Sequence, residues 1–247
     1  MADDSAGTEL VTEPALDGLT RGLARLSGLV FSDETPESVL ELAVGLAGDA
    51  VPGADAATVT VRREGSFDTS HCSDEAVRAL DQAQYDTKDG PCVEALEQGT
   101  VVHAADGLDR WPALAEKARQ VGVRRVLSTP LLANGEVVGS LNLYARERRF
   151  DEPARRASTL FAASVASAFD NALAYAAAMK LNLNLREAID TREIIGAAKG
   201  ILMARQNCTS DEAFDILRRA SQRTNRKLRD IAAELVRSTE PKRPQTR

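Results

Sequence analysis

The chain has 247 residues, of which 43% are hydrophobic, 28% are charged and 4% are aromatic, so it can form one large or two modest domains with mainly aliphatic cores. No run reaches the roughly 18 consecutive apolar residues of a membrane helix. The nearest stretch is interrupted by Asp170 and Asn171, and the acidic start does not resemble a signal peptide. Cys72, Cys92 and Cys208 form no CxxC pair, which indicates neither a disulfide framework nor a zinc site and favours a reducing cytoplasm.

The net charge of −6 is unevenly distributed along the chain. Residues 185–247 contain 14 Lys and Arg against 9 Asp and Glu, a net charge of +5, whereas residues 1–184 carry a net charge of −11. Such an imbalance is typical of a basic segment that binds nucleic acid. An ordinary solvated helical surface would explain the same charges equally well.

The start of the chain predicts a disordered segment followed by two helices. Residues 1–14 are acidic and lack periodicity, which predicts disorder. Apolar residues at helical spacing predict a helix over 15–31. Pro36 opens the second helix, because proline is favoured at the first helical position, and Pro52-Gly53 ends it.

The middle of the chain alternates between strand and helix signals. Val59 and Val61 share one face of a predicted strand that ends in a turn at Glu64-Gly65. Asn134-Gly135 is the clearest hairpin signal, and it separates RRVLSTPLL from EVVGSLNLYA. Residues 154–190 contain neither Gly nor Pro, which predicts one long helix over 153–190. The other predicted elements are helices over 74–84, 92–99 and 112–121 and a strand over 100–106.

These elements predict an α+β domain in which helices flank an antiparallel sheet. Their order resembles a GAF domain, and STPLLANGEVVGSLNLYA and DGPCVEAL carry the resemblance over residues 36–178. The resemblance implies a sensor domain with a small-molecule ligand of unknown identity and no metal. Because this fold binds many unrelated ligands, it does not identify a function by itself.

Three residues are candidates for the ligand cavity of this domain: Cys92, His103 and Trp111. Cys92 is a candidate redox-sensitive thiol, although buried packing is the favoured interpretation. His103 follows two valines in a strand, and no second ligand accompanies it, so we expect neither haem nor metal there. Trp111 either walls the pocket or packs in the core.

An enzymatic function is not expected. GxSxG, P-loop, HExxH and Rossmann motifs are absent from the sequence. A GAF-type methionine sulfoxide reductase would need cysteines gathered at one site, whereas a predicted helix separates Cys72 from Cys92.

Residues 185–238 predict an all-α module of three helices. Thr209 and Glu212 form a capping-box pattern at the start of the second helix. Periodicity places Ala213, Phe214 and Leu217 on its core face, so no aromatic platform for stacking a base is expected. Roughly fifty residues make a marginal domain, which docking or dimerisation would stabilise.

The stretch AKGILMARQNCTSDEAFDILRRASQRTNRKLRDIAAELV resembles an ANTAR domain nearly end to end. We assign 176–238 to this domain and 239–247 to a disordered tail. The matching positions include Ala198, Gly200, Ala213, Leu217, Ser221 and Ala232. The resemblance implies a cytoplasmic GAF–ANTAR regulator of actinobacterial type. Such a regulator binds paired stem-loops in nascent RNA, close to RNA polymerase, and prevents transcription termination.

RNA affinity rests on Lys and Arg side chains that contact phosphates. The residues predicted to contact RNA are Lys199, Arg218, Arg219, Arg223, Arg226 and Lys227. Intrahelical pairing is the alternative role for two of them, since Asp215 lies four residues before Arg219 and Asp230 lies four residues after Arg226. Gly200 permits close approach of a neighbour, which we expect to be another helix of the module.

Two other functions stay open at this point. The second and third helices would also fit a DNA-binding helix-turn-helix, although the turn at Arg223-Thr224-Asn225 lacks glycine. A protein-interaction module could use the same basic face for an acidic partner. Salt-dependent binding to RNA but not to duplex DNA would separate the three.

The long helix predicts a homodimer. Its apolar residues at spacings of three, four or seven form a partial coiled-coil seam: Leu173, Ala177, Leu181, Leu185, Ala188 and Ile195. Because Leu183 and its neighbouring asparagines disturb this pattern, a bend or break near 180–186 is an alternative. Another alternative is a monomer in which the helix covers only its own sensor domain.

Overall fold

The computed structural model describes residues 13–63, 66–104 and 107–239. They divide into two compact units, with a boundary between Ala176 and Ala177. The unit that ends at Ala176 is called the sheet domain, and the unit that begins at Ala177 is called the three-helix module.

Three predictions concern residues outside these ranges. Residues 1–12 of the predicted disordered segment lie outside the described residues. Its last two residues, Glu13 and Pro14, instead begin the first helix. The predicted turn at Glu64-Gly65 and residues 240–247 of the predicted tail also lie outside the described residues.

The helices of the sheet domain begin at the start signals in the sequence. They are α1 (Glu13–Ser27), α2 (Pro36–Ala50), α3 (Glu75–Thr87), α4 (Pro91–Gln98), α5 (Pro112–Val121) and the first part of α6 (Glu152–Gln206). Pro36, Pro91 and Pro112 each occupy the first turn of a helix, where the missing N–H breaks no hydrogen bond. A capping box between Thr35 and Ser38 completes the start of α2.

The sheet has five strands in the order β2-β1-β5-β4-β3, and every neighbouring pair is antiparallel. The strands are β1 (Ala56–Arg63), β2 (Ser66–Cys72), β3 (Val102–Ala104), β4 (Arg125–Ala133) and β5 (Glu136–Ala145). The predicted hairpin joins β4 to β5, with Asn134 at φ 52° and Gly135 at φ 84°. Positive φ at both central residues is the geometry that an Asn-Gly hairpin turn requires.

Alternation of side chains gives the sheet two different faces. The apolar face packs against α1, α2 and α6 and includes Ala57, Val59, Val61, Leu127, Leu131, Leu141 and Leu143. The polar face is covered by α3, α4 and α5 and includes Thr58, Thr60, Ser128, Ser140 and Asn142, all buried. The main hydrophobic core therefore lies on one side of the sheet only.

The chain is helical throughout Glu152–Gln206, so the helix α6 is not broken near 180–186, the alternative that the sequence left open. Its first part belongs to the main core, where Phe161, Val165 and Ala166 are fully buried. Among the described helices, α6 is long and apolar enough to cross a membrane by composition alone. One such helix is weak evidence for a membrane span, because the core helix of a soluble protein can have the same length and composition.

The three-helix module consists of α6 from residue 177 onward, α7 (Ser210–Thr224) and α8 (Leu228–Arg237). The predicted capping box forms at the start of α7, where Thr209 N donates to Glu212 Oε2 at 2.8 Å and Glu212 N donates to Thr209 Oγ1 at 3.3 Å. The buried residues of its core are Ala198, Leu202, Ala213, Leu217 and Ala232.

Gly18 sets the close approach of α1 to α2, because a Cβ at this position would overlap the carbonyl oxygen of Asp49. Gly18→Ala is therefore expected to lower the free energy of unfolding by about 1–3 kcal/mol, the usual cost of overpacking. Urea denaturation followed by circular dichroism measures the change.

Gly45→Ala in α2 is the matched control, since no atom lies within 4 Å of its added Cβ. Alanine there is expected to stabilise the chain by about 0.5–1 kcal/mol, because glycine is unfavourable inside a helix. Equal effects of the two substitutions would contradict the close contact between α1 and α2.

Candidate functional site

A network of buried polar side chains fills the space between the polar face of the sheet and helices α3 and α4. Asn142 on β5 lies at its centre. Its Nδ2 donates to Thr60 Oγ1 at 2.9 Å and to Thr58 Oγ1 at 3.2 Å, and its Oδ1 accepts from Ser140 Oγ at 3.1 Å. All four side chains are fully buried. Their hydrogen bonds satisfy groups that would otherwise be costly to remove from water.

Cys92, a predicted cavity residue, belongs to this network. Its Sγ lies 3.3 Å from Thr60 Oγ1, from Ser140 Oγ and from Asn142 Nδ2. Burial, together with the nearby carboxyl of Asp81, raises the pKa of the Cys92 thiol to about 12. The side chain is therefore a thiol at neutral pH, which is not the thiolate that reacts as a nucleophile or oxidises readily.

Gly90 allows α4 to approach α3 closely enough to seat Cys92. Its φ of 143° lies in a region that side chains rarely adopt, and a Cβ there would overlap the Gln84 side chain. Gln84 instead accepts a hydrogen bond through Oε1 from the backbone N–H of Cys92 at 2.9 Å. The glycine before Pro91 thus positions a site residue.

Asp81 on α3 is the buried acid of the network. Tyr144 OH donates to Oδ1, and Thr69 Oγ1 donates to Oδ2 at 2.9 Å. Burial raises the pKa of Asp81 to about 6, against the opposing effect of these hydrogen bonds. Burial and the neighbouring Asp81 also hold the pKa of Tyr144 well above its ordinary value. The phenol therefore stays protonated and acts as the hydrogen-bond donor to Asp81.

Tyr85 connects the acid to the rest of the network. Its hydroxyl lies 2.9 Å from Thr69 Oγ1 and 2.7 Å from Thr60 Oγ1. No sequence motif singles out Asp81, Tyr85 or Tyr144. Asp81 and Tyr85 follow each other at helical spacing, but only the fold brings them against the strands.

Ser128 on β4 is the unsatisfied position on this face. It lies opposite Asn142 in the β4–β5 register and is fully buried. Its Oγ has no hydrogen-bond partner among the described residues. A buried hydroxyl of this kind can accept or donate one more hydrogen bond to a small molecule or a water.

The other two predicted cavity residues lie elsewhere. Trp111 is buried in the cluster between α3, α5 and the sheet, and its Nε1 donates to Glu94 Oε1 at 3.0 Å. His103 on β3 pairs with Leu127, so its ring lies on the opposite face of the sheet from Cys92. There Nδ1 lies 3.2 Å from Arg155 Nη1, beside an open cleft of about 550 Å³. Cys92, His103 and Trp111 therefore do not converge on one cavity.

A metal site is not assembled from the side chains that the structure describes. No group of three or more His, Cys, Asp or Glu residues in those ranges could hold an ion.

The residues that match the ANTAR pattern divide into a core set and a surface set in the three-helix module. Ala198, Ala213 and Ala232 are fully buried and Leu217 nearly so, which lets the helices pack closely. The remaining two are outside the core. Ser221 donates through Oγ to the carbonyl of Arg226 and closes the α7–α8 turn.

Gly200 does not have the role expected from the sequence. A Cβ at this position would have no atom within 4 Å, so the glycine is not required for packing against another helix. Gly200 is instead exposed to solvent.

The basic side chains predicted to contact RNA form different ion pairs from those expected. Asp215 pairs with Arg218 at 2.7 Å rather than with Arg219, and Arg226 pairs with Glu234 at 2.8 Å rather than with Asp230. Spacings of three and four residues both bring side chains together on a helix, so the sequence could not choose between Arg218 and Arg219. These exposed pairs contribute little to stability.

Three of the predicted contact residues carry uncompensated charge. Arg219, Arg223 and Lys227 are exposed, and none has an acidic partner within 4 Å in the described part of the chain. They lie on α7 and in the turn that follows it. The charges of these three side chains are available to an anionic partner.

Phe214 is exposed, which corrects its predicted place on the core face. The side chain is 39% exposed, and Lys199 Nζ lies 5.9 Å from the centroid of its ring. The helical period places this ring in the core because Ala213, Phe214 and Leu217 share one side of a helical wheel. Phe214 is not among the side chains that pack against the module's core.

The α7–α8 turn also differs from the expectation. Asn225 adopts a left-handed conformation, with φ 51°, and its N–H caps α7 by donating to the carbonyl of Ser221. Asparagine thus takes the conformation for which glycine is usual. The absence of glycine in this turn is therefore no argument against a helix-turn-helix.

The part of α6 between residues 173 and 189 exposes large apolar side chains. These are Leu173, Tyr175, Met179, Leu181, Leu183, Leu185 and Ile189, each at least 38% exposed. We call this segment the apolar stretch of α6. Three of these seven side chains belong to the predicted seam: Leu173, Leu181 and Leu185.

Comparisons with known proteins agree with both units. The GAF domain model matches residues 33–170, and the ANTAR domain model matches residues 183–236. The fold is similar to the GAF domain from a phosphoenolpyruvate-protein phosphotransferase of Coxiella burnetii, with a TM-score of 0.51, 19% identity and coverage of 66% of this chain and 97% of that chain. It is also similar to fRMsr of Staphylococcus aureus in its reduced form, with a TM-score of 0.50, 12% identity and coverage of 65% and 99%. At such identities the likeness concerns the fold alone. A search of curated proteins found no match.

Asp81 makes the stability of the sheet domain depend on pH. Its pKa of about 6 in the folded chain lies above the ordinary value of 3.8, so the folded state binds more protons between these limits. The stability contributed by the neutral acid is therefore present below about pH 4 and is lost as the pH rises to about 6. Asp81→Asn, which cannot ionise, is expected to abolish this loss, which amounts to at most about 3 kcal/mol.

Urea denaturation of the wild type and the variant between pH 4 and pH 8 tests the sign. As the pH rises to about 6, the free energy of unfolding of the wild type should fall relative to that of Asp81→Asn. Above about pH 6 the difference between the two should stay constant. Asp86→Asn, an exposed acid on the same helix, is the control and should leave the difference flat. A difference that is independent of pH for Asp81→Asn would rule out its titration.

Proposed function

The chain belongs to the GAF domain family over residues 33–170 and carries an ANTAR domain over residues 183–236, and from this premise we propose that it is a signal-responsive RNA-binding antiterminator. It would bind paired stem-loops in nascent RNA, close to RNA polymerase, and prevent a terminator hairpin from forming. The observation that carries the proposal is the ANTAR match over a module whose surface is basic. The GAF and ANTAR pair is a sensor–regulator architecture and not an enzymatic one.

The charges of the module support RNA as the partner. Arg219, Arg223 and Lys227 are exposed without acidic partners in the described residues, so their charges are available to phosphates. Neutralising phosphates releases counterions, which favours binding at moderate salt. Arg218 and Arg226 form exposed pairs that a phosphate can replace at small energetic cost, because such pairs are weak.

We propose that sensing takes place at the buried polar network of the sheet domain. A small molecule that enters there would exchange hydrogen bonds with Asn142, Asp81 and the unpaired hydroxyl of Ser128. Cys92 contributes as a hydrogen-bonding thiol within the network and not as a nucleophile. We place the protein in the cytoplasm, where its RNA partner is found.

The apolar stretch of α6 supports a homodimer. Leu181 and Leu185 are exposed by 59% and 56%, and exposed apolar stretches of this extent mark association sites. A second copy supplies an identical apolar stretch, and two copies of the module suit two stem-loops. Linking the two modules would raise the avidity through effective concentration.

RNA binding is tested with an RNA that carries two stem-loops and with duplex DNA of equal length, both at fixed salt. We expect tighter binding to the RNA. Arg223→Ala should weaken it and lower the slope of log affinity against log salt by about 0.7–0.9, the loss of one phosphate contact.

Arg119→Ala in the sheet domain removes the same charge from an exposed ion pair and serves as the control. It should leave both the affinity and the salt slope unchanged. Binding to duplex DNA as tight as to RNA would favour the helix-turn-helix interpretation and refute the proposal.

Dimerisation is tested in the full chain by light scattering. The wild type should have twice the 26.5 kDa mass of one chain at micromolar concentration. Leu181→Glu combined with Leu185→Glu should weaken the dimer by more than about 100-fold, because each buried charge costs several kcal/mol.

Leu160→Glu provides the matched control, because Leu160 is equally exposed on α6 but lies outside the apolar stretch. It should leave the dimer intact. A wild-type chain that is monomeric at this concentration would refute a constitutive dimer.

A further inference from the structure

Phe214 places an aromatic ring on the surface of the three-helix module, near the start of α7. It is 39% exposed, and it is not among the side chains that form the core of the described module. A single exposed apolar residue is common on protein surfaces and needs no explanation. The surroundings of this ring are what distinguish it.

A cation lies beside the ring. Lys199 Nζ is 5.9 Å from the ring centroid, close to the outer limit of a cation–π contact. At this distance the ammonium group is weakly held, so it can turn to a phosphate without a large loss. An aromatic ring with a cation beside it is the combination that binds unpaired nucleotides, since the ring stacks on the base and the cation contacts the backbone.

The same surface is accessible and basic. Gly200 follows Lys199, and a Cβ added to it would have no atom within 4 Å; Met203 lies one turn later on α6 and is exposed. On α7, Arg218 lies one turn after Phe214 and is exposed. The ring therefore has the half-buried Lys199 beside it, and the exposed Arg218 follows one helical turn later on α7.

We infer that Phe214 stacks on an unpaired base of the bound RNA while Lys199 contacts the adjacent phosphate. This inference rests on the proposed function and adds to it a residue that reads the loop of the stem-loop. Stacking tolerates different bases but requires one that is unpaired and accessible. The module would thus discriminate a stem-loop from a fully paired RNA through Phe214.

The test uses the full chain and a stem-loop RNA selected by the wild type from a pool with randomised loops. Phe214→Leu, which keeps an apolar side chain but removes the ring, should weaken binding by about 5- to 150-fold, the range for one stacked base. Phe214→Tyr, which keeps the ring, should retain the affinity. An abasic nucleotide at the stacked loop position should weaken the wild type to the same extent and have no further effect on Phe214→Leu.

Phe67→Leu in the sheet domain is the matched control. Arg62 lies 5.6 Å from the centroid of the Phe67 ring, so this variant also removes an aromatic ring next to a cation. It should leave RNA binding unchanged.

Phe214→Trp gives a readout that a purely structural role would not change. The intact RNA should quench the fluorescence of this tryptophan, whereas the RNA with the abasic loop position should not; the buried Trp111 supplies a constant background. Full affinity of Phe214→Leu, or equal quenching by both RNAs, would overturn the stacking inference and leave the proposed function standing. A wild type that selects no stem-loop RNA from the pool would overturn both.

Discussion

The sheet domain depends on a single constraint, which is that a sheet with one apolar face and one polar face must be covered on both sides. The apolar face is buried by α1, α2 and α6 through ordinary hydrophobic packing. The polar face can be covered only if its donors and acceptors find partners. The helices α3 and α4 meet this requirement because they carry Asp81, Tyr85 and Cys92 to the hydroxyls and the amide of the strands.

A polar network of this kind fixes one arrangement of its members. Removal of one side chain leaves its partner buried without a hydrogen bond. The free-energy cost of that unsatisfied group exceeds the net stabilisation that the hydrogen bond contributes. Asp81 is the sensitive member, because its pKa of about 6 lies close to neutrality and its charge depends on the donors Tyr144 and Thr69. A change in hydrogen bonding near Asn142 would therefore reach Asp81 through Tyr85 and Thr69. The network thus connects the hydroxyls and the amide of the strands to a buried acid.

Local rules explain why much of the fold could be predicted from the sequence. The Asn134-Gly135 turn, the prolines that open helices and the alternation in β1 and β5 each depend on neighbouring residues only. The partners of Cys92 could not be predicted in this way. They lie 32, 48 and 50 residues away, so only the strand register brings them to the thiol.

The three-helix module shows a different limit of sequence reasoning. The helical period places Phe214 on the core face, whereas its side chain is 39% exposed. Three of the five buried core residues are alanines, and the partly buried side chains packed against them are mainly Ile, Leu and Val, without Phe214. The predicted partner of Asp215 was wrong for a related reason. The carboxylate of Asp215 can reach a residue three or four positions later with similar geometry. Both errors arise where local spacing permits two outcomes and packing selects one.

The same small core bears on how the module is stabilised. Alanines bury little apolar area, and a unit of this size has little surface to bury.

Burial of the apolar stretch of α6 would supply the missing apolar contacts, but not through a single seam. Leu181 and Leu183 are two residues apart, which separates them by about 200° around a helix with 3.6 residues per turn. A two-stranded coiled coil covers only one stripe, so one of these leucines would stay in water. A helix that is apolar on most sides is normally surrounded by several neighbours. Burial of both leucines in a dimer therefore requires contacts from more than the partner's α6 alone. Any such contact would stabilise the module by mass action, so its folding and its assembly would be linked.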